Sequence, residues 1–99
     1  MQRTAPLTPS DRPRAGSWKH IRHCRSEGVI LRETICAPDL TLERHAHGSC
    51  AFVFLLGGSY AETYDQDPLH CVPGSMKFRP SGAPHSTRCG REGAHYLSV

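Results

Sequence analysis

From Trp18 onward, apolar residues come in runs of four to eight, interrupted at short intervals by Gly, Pro or Asp, and no stretch keeps a 3.6-residue stripe for longer than two turns. This is the pattern of short strands in an all-β sandwich or barrel. It predicts strands over Gly28–Cys36, Leu40–Arg44, Cys50–Leu56, Ser59–Tyr64, Leu69–Val72, Met76–Arg79, His85–Cys89 and His95–Val99, with a further one near Lys19–Arg25. The breaks have physical causes. Pro38-Asp39, Gly57-Gly58, Asp65-Gln66-Asp67-Pro68, Pro73-Gly74, Pro80-Ser81-Gly82 and Gly90 supply turn dihedrals or remove a ladder donor.

Alternation along Cys50–Leu56 also assigns faces, because successive side chains of a strand point to opposite sides. With Ala51, Val53 and Leu55 turned inward, Phe52, Phe54 and Leu56 point outward, and three large apolar side chains in a row call for a cover. The candidates are a second β-layer, the segment around Trp18–Ile21, or another subunit. A homodimer is the preferred cover.

Composition bounds the reading. The chain has 99 residues, 37% hydrophobic and 21% charged, with a mean hydropathy of −0.47. That suits one small soluble domain with a modest core, and no apolar run approaches the ~20 residues of a membrane-spanning helix. Residues 1–16, with Pro6, Pro9, Pro13 and Gly16 among polar side chains, are expected to form a loose basic leader, and residues 17–99 the domain. Residues 1–27 carry six basic and two acidic side chains, against six and seven in the remainder. Such a leader could touch nucleic acid, but its basic residues lack interleaved aromatics beyond Trp18, and a solvated tail is the favoured reading. No helix–turn–helix pattern is present, so no direct DNA binding is expected from this chain, and none to a membrane. Five cysteines (Cys24, Cys36, Cys50, Cys71, Cys89) without paired spacing argue against a disulfide framework. With no apolar leader segment, the expected address is the cytoplasm.

Seven histidines are many for this length, and three have telling positions. His45 and His47, two apart on or beside a strand, share a face, and His85 near the start of a later strand can join them. Three imidazoles converging inside a small barrel form a mononuclear metal site, with zinc, iron or nickel as the candidate divalent ion. The alternative is a metal-free barrel whose histidines hydrogen-bond each other, water or an effector. His20, His23, His70 and His95 lack motif spacing and read as surface or ordinary polar residues.

Here the chain resembles the cupins, whose first motif reads G-x5-H-x-H-x3-E-x6-G and second G-x5-P-x-G-x2-H-x3-N. His45, His47 and Gly58 match the first, while Asp39 and Ala51 stand at its Gly and Glu positions. Gly74, Pro80, Gly82 and His85 match the second, with Cys89 at the Asn position, and fifteen residues separate the motifs. The resemblance implies a jelly-roll barrel of two β-layers. Within cupins, Leu31-Arg32-Glu33-Thr34, Leu42 to His47, Leu56 to Tyr60, Pro73 to Pro80 and Pro84-His85-Ser86 look most like the effector-binding and dimerisation domain of AraC-type transcriptional regulators. That implies a small-molecule sensor that dimerises, its DNA-reading part absent from this chain. A stand-alone metal-dependent cupin enzyme, dioxygenase- or isomerase-like, is the alternative.

Ala51 removes the carboxylate that helps hold the ion in metal-dependent cupins. Glu62, Cys50 and Cys89 are the replacements to consider, and strand parity favours Cys89. Val53 and Leu55 with Tyr60 and Tyr64 are the expected contacts of a small organic effector.

Overall fold

A computed structural model describes residues 7–99. Seven antiparallel strands make up the domain: β1 (Trp18–Ser26), β2 (Val29–Cys36), β3 (Thr41–His45), β4 (Ala51–Thr63), β5 (Pro68–Cys71), β6 (Met76–Arg79) and β7 (His85–Ser98). Residues 1–6 of the expected leader lie outside the described part. Beyond them Pro9–Asp11 form a 3-10 turn, and the Lys19 ammonium donates to the Ser10 carbonyl at 2.7 Å. Among the described residues no helix is long and apolar enough to cross a membrane.

β1 and β2 are joined by the two-residue turn Glu27-Gly28, both residues at positive φ (49° and 80°), as a hairpin matched to strand twist requires. The two long strands then organise the fold. The end of β7 pairs with β2 and with the first half of β4, whose other edge carries β6. The start of β7 pairs with β3 and with the second half of β4, whose other edge carries β5. β4 and β7 thus run through both layers, and the core of Cys36, Leu40, Val53, Leu55, Tyr60, Cys71, Cys89 and Ala94 is drawn from each.

Two predicted breaks are not breaks. Gly57-Gly58 and Gly90 lie inside β4 and β7, where the register shifts at Leu55/Gly57 and Gly58/Tyr60. Glycine here bends a strand instead of ending it. Gly58 has φ +71°, and a Cβ on it would lie 2.0 Å from the carbonyl oxygen of Gly93. The backbones of β4 and β7 meet where only glycine fits.

The assigned faces hold. Ala51, Val53 and Leu55 are buried, whereas Phe52 (46% exposed) and Phe54 (38%) face out beside their cross-strand partners Phe78 and Met76. Trp18 lines the internal cavity, so its segment does not cover this outer face.

Candidate metal centre

β3 ends at His45, two residues before His47, and β7 begins at His85 directly opposite His45 in the β3–β7 register. One ring nitrogen from each of His45, His47 and His85 lies within 4.8 Å of the others. The His45 and His85 ring centroids are 4.5 Å apart, and the His47 ring stacks on His85 at 5.2 Å with 22° between planes. All three line one cavity; His85 is 1% exposed, while the other two are partly buried.

Backbone carbonyls orient two of the rings. Nδ1 of His45 donates to the Glu43 carbonyl at 2.6 Å, and Nδ1 of His85 to the Ala83 carbonyl at 2.9 Å. Each bond leaves Nε2 as the nitrogen with a lone pair. Burial, followed by the nearby Arg79 charge, pushes the His47 pKa down to about 4, so its imidazole is neutral at neutral pH. Tetrahedral zinc with three imidazoles needs nitrogens about 3.3 Å apart. The three donors are imidazole nitrogens, the type zinc takes, and they lie within 4.8 Å of one another. The residues present therefore fit a divalent ion.

A cavity of about 540 Å³ opens beside the histidines. Val53 and Tyr60 line it, with Leu42, Ala94 and Tyr96. Leu55 is not among the lining residues and packs in the core. Tyr64 is not among the lining residues either; its ring lies 5.1 Å from that of His85, and its hydroxyl donates to Glu62 at 3.0 Å. Burial and the Glu62 charge push the Tyr64 hydroxyl up to about 12, which keeps it a donor.

Of the three candidates to replace the missing carboxylate, none joins the histidines within that distance among the described residues. Cys50 is exposed, and Cys89 lines the cavity but belongs to the core cluster with Cys36, where the hydrogen bond with Cys36 and then burial raise its thiol pKa. Glu62 reaches the cavity, but the Lys77 ammonium bonds its carboxylate.

Among the cavity residues that the sequence reading missed are His20 and Arg79. His20 lines the cavity and shares a 2.7 Å hydrogen bond with Thr34. Arg79 lines the wall, and its signal was available: in Met76-Lys77-Phe78-Arg79 the apolar residues alternate outward and the cations inward. His95 also proves more than a surface residue, because its Nε2 donates to buried Glu33 at 2.5 Å.

No family model matches the sequence, and no curated protein matches it. Solved structures do match in fold. A structural-genomics protein of unknown function from Rhizobium leguminosarum superposes with a TM-score of 0.77 at 19% identity, over 99% of this chain and 96% of that one. A cupin superfamily protein from Desulfitobacterium hafniense gives 0.75 at 17% identity, over 99% and 89%. A putative mannose-6-phosphate isomerase from Ralstonia eutropha gives 0.76 at 13% identity, over 98% and 95%. With its motif spacing, two long paired strands and three converging histidines, the chain has the cupin fold with a candidate three-histidine metal centre.

Proposed function

We propose that this is a small-molecule-binding and dimerisation domain in which a small organic ligand enters the cavity and meets a divalent ion held by His45, His47 and His85. The convergence of three imidazoles, two of them oriented by backbone carbonyls, on the wall of a cavity of about 540 Å³ carries the reading. A zinc, iron or nickel ion held by these three histidines would supply Lewis acidity to the ligand. The chain's own residues do the rest. Val53, Tyr60 and Tyr96 give the ligand an apolar wall, and the carbonyls of Glu43 and Ala83 hold two imidazoles in the liganding tautomer. Dimerisation is supported by the outer face of Phe52, Phe54, Met76 and Phe78, each more than a third exposed. Such a domain would act as the sensing part of a regulator, as in the AraC-type resemblance.

A second reading, a metal-dependent enzyme of the dioxygenase or isomerase kind, is favoured by the histidine site alone. Against a dedicated acid–base residue, Glu62 is already engaged by Lys77 and Tyr64. Metal analysis after chelation and reloading tests the shared core of both readings. One ion per chain, lost on His45→Ala or His47→Ala, is expected; no stoichiometric uptake sinks the enzyme reading and removes the ion from the sensing one. Turnover of a bound ligand by the loaded protein would then select the enzyme.

A further inference from the structure

The register of β4 and β6 places Arg79 directly opposite Ala51. Directly opposed residues of an antiparallel pair share a face. Val53, on the same face of β4 as Ala51, lines the cavity, and so does Arg79. Where the resemblance puts a ligating carboxylate, this chain has a methyl group with a guanidinium across from it.

The two inward cations of β6 have different fates. Lys77 is neutralised by Glu62 and lies over the Tyr60 and Tyr64 rings. Arg79 takes part in no salt bridge among the described residues, and its Nε, shielded from solvent, has no hydrogen-bond partner. Nearly all buried polar groups in folded proteins are paired, and a charged group is the costliest to leave unpaired. The Arg79 charge also bears on the tyrosine and histidine flanks, being one cause acting on each of His47, Tyr64 and Tyr96. Arg32 adds a second cation at the lining, while Arg44 donates to the Tyr64 carbonyl.

We propose that Arg79 is the ligand-anchoring residue of the cavity, and that the ligand is an organic carboxylate whose anionic end pairs with its guanidinium. This rests on the reading of the cavity as a ligand site, and gives its occupant a chemical class. A planar guanidinium that lines the cavity and takes part in no salt bridge among the described residues matches a carboxylate in bidentate geometry. The apolar wall of Val53, Leu42 and Tyr96 suits a hydrocarbon or aromatic body on the same molecule.

The test uses metal-free protein at neutral pH, with benzoate, benzamide and inorganic phosphate as probes and the Arg79 Nε–H resonance as readout. Benzoate should shift that resonance and bind at least about tenfold more tightly than benzamide. Arg79→Gln should abolish the preference and Arg79→Lys retain part of it. Equal binding of benzoate and benzamide, an unmoved Nε–H resonance, or tighter binding of phosphate overturns the proposal, as does a preference that survives Arg79→Gln. Should Arg79→Gln not fold, the wild-type comparison decides alone. The outcome separates from that of the metal reading: carboxylate preference without zinc uptake leaves Arg79 its role and removes the ion. Zinc uptake without carboxylate preference does the reverse.

Discussion

His45 and His85 stand directly opposite each other across the β3–β7 ladder, with ring centroids 4.5 Å apart and each Nδ1 tied to a carbonyl two residues before it. The same device on two strands aims both rings at one point. Their contributions should nevertheless differ. His47→Ala should lower zinc affinity by at least about a hundredfold with little change in melting temperature, because the ring is at the cavity wall. His85→Ala should cost affinity and also about 2 kcal/mol of stability, since its ring is buried. Calorimetric zinc titration beside urea melts checks both. Equal stability of the two variants would contradict the burial of His85.

Acid should act first through Glu33. Its carboxylate is 4% exposed and accepts from Arg22 at 2.6 Å and from His95 at 2.5 Å. Burial raises its pKa, but the bonds from Arg22 and His95 outweigh this and the net shift is downward. A folded-state pKa below the unfolded value of about 4.3 contributes stability that is full above that value and lost as pH falls through the folded pKa. Glu33→Gln should therefore flatten the loss of stability below pH about 4.3, at a cost of about 2 kcal/mol near neutrality. Urea melts at a series of pH values measure it, and an unchanged acid slope counts against this network.

Two glycines with similar backbone angles should respond in opposite degree. Gly58→Ala drives a methyl group onto the Gly93 carbonyl oxygen, on top of the strain of φ +71°, and should cost more than about 3 kcal/mol or prevent folding. Gly74, at φ +87°, has nothing within 4 Å of the added Cβ, so Gly74→Ala should cost only about 1 kcal/mol. Urea midpoints of the two variants give the comparison. Similar losses would show that the β4–β7 crossing is looser than the structure has it.

The outer face predicts association. Phe52 and Phe78 pair at 5.4 Å between ring centroids and are 46% and 52% exposed, with Phe54 and Met76 beside them. Sedimentation over a concentration series should reveal a dimer, and Phe78→Lys should yield a monomer that still binds zinc. A wild-type chain that stays monomeric at high concentration removes the dimer from the proposed function.

Much of this protein is local in origin and so is readable from residues in order. Strand alternation put Val53 inward and Phe52 outward because the side-chain period of an extended chain is two, whatever it packs against. Histidine spacing marked His45, His47 and His85 for the same reason, with turn residues fixing where the strands begin. What the tertiary structure alone decided depends on register between distant strands. Gly58 reads as a turn in isolation, and only the approach of Gly93 on β7 makes it a bend within one strand. Cys89 faces the same cavity as His85, as its parity predicts, yet it belongs to the core cluster with Cys36 and does not come within 4.8 Å of the ligating nitrogens. His95 acquires a role from Glu33 on β2, and Arg79 from lying opposite Ala51. Cross-strand pairing is set by packing energy summed over the whole sheet, so the sequence by itself determined the fold and the three imidazoles, while the charge that faces them was decided by the folded barrel.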